Sequence, residues 1–452
     1  MRALRWWKGS AMSQIDYGET QAVFTPRPDL PPPAATVGVL GWVRANLVPN
    51  WFNAVITLVG LGVIYYIVSG LLTWAVFDAH FAGNSRQACK PNVNIVMDKV
   101  ATTGILPDGT TLQLETTAAR VAVPEGVSPN VRWERRIEPR PQRVAGGRYA
   151  RVAVEEDHII EGACWVFIFV RFDQFIYGFY PKDERWRPTV VIGVGLLLIF
   201  YMLTDGLPHR GRVAMFLLLP FPVIAYFMFS GGVLGLEYVS NDKWGGLLLT
   251  IIISSVAITG ALPLGIALAL GRRSVMPIIR WFCIVVIEFF RSVPMITILF
   301  MAMVVLPLFL PPGTVFDQLL RVLIGVTIFI AAYTAEVVRG GLQALPKGQY
   351  EAADALGLGY FKMMRLIILP QALRIMIPAI VSLFIGIFKD TTLVQIVGLN
   401  DLLTMMQLGV ADAEWTGLSK EGYVVCGLIF FLFCFSMSRY SMYLERKLHT
   451  GH

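Results

Sequence analysis

The chain has 452 residues, of which 55% are hydrophobic and 15% are charged. This composition excludes an ordinary water-soluble protein, because one soluble core cannot bury so much apolar surface, and it indicates a membrane protein. The formal net charge of +7 does not point to nucleic acid, since the basic residues flank apolar runs and form no patch with exposed aromatic residues.

The N-terminal tail, residues 1–50, is polar and rich in proline. It lacks the apolar core and small-residue cleavage site of a signal peptide, so we interpret it as a cytoplasmic tail. Residues 51–77 follow as an apolar run without charge, long enough to cross the bilayer. Because backbone polar groups must be satisfied inside the bilayer, we predict a first transmembrane helix here.

Apolar runs of similar character recur along the chain, two of them within 188–232 and five within 244–446. The sequence therefore predicts an all-α integral membrane protein with about eight transmembrane helices, at 51–77, 188–204, 213–232, 244–270, 281–310, 318–338, 374–392 and 422–438. With the N-terminus inside, most lysines and arginines of the short loops face the cytoplasm, as the positive-inside pattern requires. Both chain ends are then cytoplasmic.

An insert at residues 78–187 separates the first two predicted helices and is expected to face outward. A turn at 107–109, followed by alternating stretches at 110–116 and 120–123, predicts a small β-rich domain. A docking site for a partner and a solvated spacer are both open interpretations. Residues 163–180 are apolar but contain Arg171 and Asp173, so we assign them to the outer membrane surface.

Five cysteines are too few for a disulfide-stapled scaffold, and Cys283, Cys426 and Cys434 lie in predicted helices. Only Cys89 and Cys164 lie outside them. If their loop faces an oxidising compartment, a disulfide between them is one of two open outcomes. The scattered cysteines and histidines predict no metal site.

A polar, helix-forming stretch at about 339–373 follows the sixth predicted helix. It reproduces, without a gap, the spacing of the EAA loop of ABC importer permeases: Glu351, Ala352, Ala353, Gly357, Ile367, Leu369 and Pro370. Two short helices broken near Gly357 would dock in a groove of a separate ATPase, where the glycine permits a turn or a close approach. Pro370 is expected to end this element before the next helix. An ordinary amphipathic connector is the alternative.

Residues 244–446 resemble the five-helix core of the polar amino-acid permease family. The resemblance rests on RRSVMPIIRW, EFFRSVPMITILF, AAYTAEVVRGGL and FKDTTLVQIVGLNDL, in that order. The long N-terminal extension resembles the larger of two permease subunits in the general L-amino-acid ABC transporter.

The resemblance implies the type I ABC importer permease core and a transmembrane permease subunit for L-amino acids, polar or of broad range. Its implied partners are a second, homologous permease that differs from this chain, two copies of a P-loop ATPase, and a periplasmic binding protein. The implied location is the bacterial inner membrane. The chain itself would bind no cofactor, since ATP and Mg are used by the ATPase.

Charged residues inside predicted helices are candidates for the substrate pathway, because such charges are costly in a membrane. A zwitterionic amino acid needs a cation for its carboxylate and an anion or a carbonyl for its ammonium group. The candidates are Glu288, Arg291, Glu336, Lys389 and Asp390, together with Pro294, which is expected to distort its helix. Structural ion pairing is the alternative, and packing of the coupling region competes for Glu336.

Three other functions are disfavoured. The chain has no G-x-x-x-x-G-K-[ST] phosphate loop, so ATP hydrolysis must come from a partner. A secondary transporter would show internal inverted repeats, and we find none that is convincing. An intramembrane enzyme is disfavoured because no histidine lies within a predicted helix and no H-E-x-x-H motif occurs.

Overall fold

The computed structural model describes residues 38–144, 148–204, 206–233, 235–309, 311 and 316–448. The chain divides into two compact units, one ending at Leu72 and one beginning at Thr73. The described part of the first unit consists of α1 (Gly38–Asn46) and α2 (Trp51–Leu72). Asn50 caps α2 by accepting a 2.8 Å hydrogen bond from the backbone N–H of Asn53. Most of the predicted cytoplasmic tail lies outside the described residues.

The second unit contains the insert, the remaining helices and all candidate site residues. Its α-helices, in chain order, are α3 (Val166–Tyr177), α4 (Trp186–Leu203), α5 (Arg210–Leu218), α6 (Pro220–Ser230), α7 (Gly246–Arg272), α8 (Pro277–Ser292), α9 (Met295–Phe300), α10 (Gln318–Ala344), α11 (Lys347–Ala355), α12 (Tyr360–Met363), α13 (Leu369–Asp390), α14 (Leu402–Ala411) and α15 (Ser419–Leu448).

Six helical stretches among the described residues are long and apolar enough to cross a membrane: Trp51–Phe77, Lys182–Leu203, Gly246–Arg272, Gln318–Ala344, Tyr360–Val397 and Ser419–Lys447. Two further pairs pass the same test but are bent, α5 with α6 by 43° and α8 with Met295–Phe309 by 112°. Every predicted apolar run therefore contains helix, and the described residues contain six candidate spans, or up to eight if each bent pair is counted as one span.

Both bends lie at prolines, which have no backbone N–H to continue a helix. Pro220 begins α6, and Pro294 caps α9. The run predicted at 281–310 is therefore two helices rather than one, and its last residue lies outside the described part of the chain. The run predicted at 374–392 is also longer, because its helix already begins at Tyr360.

The insert contains the predicted β structure. Its four strands are β1 (Asn94–Ile105), β2 (Thr111–Ala122), β3 (Arg132–Arg143) and β4 (Tyr149–Ile160), in the sheet order β2-β1-β4-β3. The strands form two antiparallel hairpins, β1 with β2 and β3 with β4. The two alternating stretches predicted within 110–123 are a single strand, because β1 pairs with β2 along its whole length.

The two ends of the insert are fastened to each other. Cys89 and Cys164 form a disulfide with their Cα atoms 5.7 Å apart. The backbone of His80 accepts a 3.0 Å hydrogen bond from Trp165 N–H and donates a 2.8 Å bond to the carbonyl of Ala163. The chain therefore leaves the helical part before β1 and returns to it after β4 at the same place.

Helix α3 is packed inside the protein on one face. Phe167 lies against Phe175 and Trp415, with ring centroids 5.5 and 5.6 Å apart, and all three side chains are buried. The opposite face, with Phe169 and Phe172, is exposed. Helices α14 and α15 cover the buried face, and the position of the exposed face at the outer membrane surface stays a prediction. Its charges are paired, Arg171 with Asp412 and Asp173 with Arg185.

The centre of the second unit is the contact between α7 and α10. Gly260 faces Thr327, and Gly265 faces Thr334. Both residue numbers increase together along the contact, so the two helices run parallel and end on the same side. Small residues of this kind allow helix backbones to approach closely, which is how helices associate in membranes.

We predict that Gly178→Ala destabilises the protein by on the order of 2 kcal/mol. Gly178 ends α3 with φ of +66°, and an added Cβ would lie 2.5 Å from the Cα of Gly245. Gly193→Ala is the matched control, because Gly193 lies in α4 with no atom within 4 Å of an added Cβ. Thermal unfolding of the purified proteins in detergent should show a lower midpoint for Gly178→Ala alone, and equal midpoints for both variants would contradict this packing.

Candidate functional site

The first part of the EAA spacing, from Glu351 to Gly357, lies on a helical hairpin, which we name the coupling hairpin and define as residues 347–363. It consists of α11, a turn and α12. Gly357 in the turn has φ of +69°, and two hydrogen bonds close the end of α11: Leu358 N–H to the Ala353 carbonyl at 3.2 Å, and Gly357 N–H to the Asp354 carbonyl at 2.8 Å. This is the Schellman motif, which requires a left-handed residue at the position of Gly357.

Gly357 is therefore needed for its backbone conformation. An added Cβ would meet no atom within 4 Å, so a close approach within this chain does not explain the glycine. Of the two alternatives that the sequence leaves open, the structure supports the turn.

The coupling hairpin presents apolar side chains to its surroundings. Ala353 is buried, whereas Glu351 and Ala352 are exposed. Leu356 is 74% exposed and Phe361 is 84% exposed, although both lie in an otherwise polar connection. Large apolar side chains exposed together mark a contact surface.

The rest of the EAA spacing lies in a continuous helical stretch. α12 passes through a π-helical turn, Met364–Ile368, directly into α13. The expectation that Pro370 ends the docking element is therefore wrong. Pro370 is the second residue of α13, directly after the π-helical turn, and the helix continues through it. Ile367 and Leu369 are half-buried and pack against the main core.

Two carboxylates and three arginines from three helices form one charged network. It consists of Arg272 on α7, Glu288 and Arg291 on α8, and Glu336 and Arg339 on α10. Within α10, Arg339 Nε donates to Glu336 Oε2 at 3.0 Å, and Arg339 also donates to Glu336 Oε1. Within α8, Arg291 lies 3.9 Å from Glu288. Both pairs have the i,i+3 spacing that the sequence shows.

Arg272 joins these two pairs, and the sequence analysis did not identify it as a site residue. Its Nη1 lies 2.8 Å from Glu288 Oε1 and 3.5 Å from Glu336 Oε2. Arg272 lies just beyond the helix predicted at 244–270, and nothing in the spacing shows that the end of α7 meets α8 and α10. The sequence feature that could have identified Arg272 as a site residue is its place at the end of a long apolar run.

Lys389 and Asp390 lie at the end of α13, and the structure gives neither side chain a hydrogen bond or an ion pair to another described residue. They are not part of the charged network. Pro294 marks the 112° bend between α8 and α9. Beside this bend, Tyr333 Oη donates to the carbonyl of Arg291 at 3.3 Å.

The insert brings together three residues of types that bind metals elsewhere. Glu138, Glu156 and His158 place one ligand atom each within 4.8 Å of the others. Arg140 donates to both glutamates, so the protein supplies a cation of its own. We therefore assign no metal to this cluster.

Comparisons with known proteins identify relatives across nearly the whole chain. Residues 261–450 match the family described as binding-protein-dependent transport system inner membrane component. The chain is 43% identical over 410 residues to the inner membrane amino-acid ABC transporter permease protein YhdY of Escherichia coli K12, covering 91% of this chain and 93% of that protein. It is 38% identical over 500 residues to the glutamate/glutamine/aspartate/asparagine transport system permease protein BztC of Rhodobacter capsulatus, covering 98% and 100%.

A crystal structure of an amino acid ABC transporter with histidines aligns with 45% of this chain and 92% of its own, at 27% identity and a TM-score of 0.40. That likeness is too low to add to the assignment, which rests on the sequence relatives. With 43% identity over most of both chains, the protein belongs to the family of amino-acid ABC transporter permeases, as a membrane-embedded transport subunit that is not itself an enzyme and depends on a separate ATPase.

Proposed function

We propose that the chain and a second, homologous permease enclose the path by which polar L-amino acids enter across the bacterial inner membrane. The coupling hairpin would be the contact with the ATPase. The observation that carries this proposal is the exposed hairpin itself, which is turned at Gly357 and has Leu356 and Phe361 open to a partner.

The charge distribution supports a topology of eight spans with both chain ends in the cytoplasm. Because α7 and α10 end on the same side, Arg272, Arg273 and Arg339 lie at the end that carries the coupling hairpin, as the positive-inside pattern requires. The Cys89–Cys164 disulfide supports a periplasmic position for the insert, since disulfides persist in oxidising compartments.

The names of the relatives support the substrate class. BztC is named for glutamate, glutamine, aspartate and asparagine, and a 32% identical relative, GltK of Escherichia coli, is named for glutamate and aspartate. A periplasmic binding protein would deliver the amino acid. Lys389 and Asp390 suit a zwitterion, because they offer both charges and neither side chain has a hydrogen bond or an ion pair to any other described residue. The bend at Pro294 would expose backbone groups to the path.

The assembly would contain two ATPase subunits and two permeases. This sequence has one EAA loop, so each permease would engage one ATPase. The extension before residue 244 resembles that of the larger of two permease subunits in the general L-amino-acid transporter, which favours a partner permease that differs from this chain. ATP and Mg would be bound by the ATPase subunits.

Substitution of Gly357 tests the turn and the docking together. Gly357→Val should abolish ATP-dependent uptake, because a β-branched residue does not adopt positive φ. Gly357→Asn should retain part of the uptake, since asparagine tolerates this conformation. Uptake is measured in proteoliposomes, and co-purification of the ATPase is measured in parallel. Equal uptake by both variants would contradict the role of the turn.

The topology is tested by two single cysteines at exposed positions. Asp108→Cys, in the turn between β1 and β2, should react with a membrane-impermeant maleimide in intact spheroplasts. Gly348→Cys, on the coupling hairpin, should react only after the membrane is permeabilised. Gly348 is exposed, and an added Cβ there would meet no atom within 4 Å. The unsubstituted chain is the control for labelling of its own cysteines, and the reverse pattern would invert the topology.

Removal of the free charges at the end of α13 tests the pathway. We expect Lys389→Gln and Asp390→Asn each to raise the KM for uptake by about tenfold or more, the usual effect of losing a charge-assisted hydrogen bond to a ligand. Lys420→Gln is the control, because Lys420 is an exposed lysine at the start of α15. An unchanged KM in both variants would remove these residues from the pathway.

A further inference from the structure

The arginines at the C-terminal end of α7 contact two different parts of the protein. Arg273 Nη1 donates to Tyr350 Oη at 3.2 Å, and its guanidinium carbon lies 5.6 Å from the centre of the Tyr350 ring. Tyr350 belongs to α11, and its hydroxyl donates to the carbonyl of Leu342 at 2.9 Å. Arg273 therefore holds the coupling hairpin against the ends of α7 and α10.

Arg272, the preceding residue, contacts the charged network instead. It bridges Glu288 on α8 and Glu336 on α10. Because Arg272 and Arg273 are adjacent in the chain, a movement of the backbone at one of them also moves the other. The end of α7 is thus a direct connection between the coupling hairpin and the two helices that follow α7.

The network has a surplus of cations that allows partners to be exchanged. Arg272 reaches both carboxylates, and Arg291 also reaches both, Glu336 at 3.6 Å and Glu288 at 3.9 Å. Arg339 remains paired with Glu336. Either shared arginine can therefore move from one carboxylate to the other without leaving a carboxylate unpaired. The five side chains are 24% to 50% exposed, and ion pairs with this access to solvent are weak enough to exchange.

We propose that Arg272 and Arg273 are positioning residues of the transport cycle. When the ATPase moves the coupling hairpin, Arg273 follows Tyr350, and Arg272 exchanges partners between Glu288 and Glu336. This exchange changes how the ends of α8 and α10 are held together. The inference rests on the proposed role of the coupling hairpin. In this inference Glu288, Arg291 and Glu336 hold helices together and do not contact the amino acid.

The test uses the complete transporter, with ATPase and binding protein, reconstituted in liposomes. The ATP hydrolysed per amino acid imported should rise about tenfold in Arg272→Gln and in Arg273→Gln, the range expected when two coupled sites are disconnected. The KM for the amino acid should not change. Arg272→Lys should show a smaller rise, because lysine is a point charge that holds one carboxylate at a time. Arg280→Gln, at an exposed arginine of α8, is the matched control and should behave as the unsubstituted protein.

A combined variant distinguishes this connection from a loss of fold. In a Glu288→Gln, Glu336→Gln background, adding Arg272→Gln should have no further effect, since Arg272 acts through these two carboxylates. An additive effect would overturn the inference.

The remaining outcomes separate this inference from the proposed function. If the unsubstituted chain neither retains the ATPase nor couples hydrolysis to uptake, the proposed function and the inference both fail. If that chain is coupled but Arg272→Gln and Arg273→Gln keep its ATP-to-substrate ratio, only the inference is overturned. A raised KM with an unchanged ratio would also overturn it, because the charges would then contact the amino acid.

Discussion

The close, parallel packing of α7 against α10 sets the position of the charged network and of the coupling hairpin. Lipid is as apolar as the helix surfaces, so helices associate through close backbone approach and not through the hydrophobic effect. Gly260 and Gly265 provide this approach, opposite Thr327 and Thr334. Because the two helices run parallel, their C-terminal ends meet. Arg273 and the coupling hairpin are therefore neighbours, although more than seventy residues separate them in the sequence.

The location of the charged network follows from the cost of placing charge in a bilayer. That cost is lowest near helix ends, where long side chains reach water. Arg272 ends α7 and Arg339 lies near the end of α10, so the network occupies such a position. The solvent access that makes these charges tolerable also weakens their pairing. Access to water therefore explains both why the ion pairs can exchange partners and why the membrane tolerates these charges.

Much of this arrangement is predictable from the sequence, because it depends on local rules. The apolar runs predict every candidate span among the described residues, and the spacing from Glu351 to Pro370 predicts a helical hairpin broken near Gly357. The i,i+3 spacing also gave two correct ion pairs. The bend at Pro294 was expected, but its size was not, because the angle depends on what α9 packs against. The bridge by Arg272 and the burial of Phe167 could not be predicted, since their partners are distant in the sequence.

A single helical stretch connects the coupling hairpin with the opposite end of the helical part. It begins at Tyr360, directly after the hairpin turn, and continues to Val397 without a break. Lys389 and Asp390 lie near its far end, and Phe388 packs there on Phe430 of α15. The start of α15 in turn contacts the base of the insert, because Glu421 accepts a 3.0 Å hydrogen bond from the backbone N–H of Cys164.

The π-helical turn at Met364–Ile368 is the one departure from α-helical geometry between the hairpin and Lys389. The hairpin therefore has a continuous backbone connection to Lys389 and Asp390 of α13, whereas its connection to α8 passes through side-chain contacts, among them those of Arg272 and Arg273.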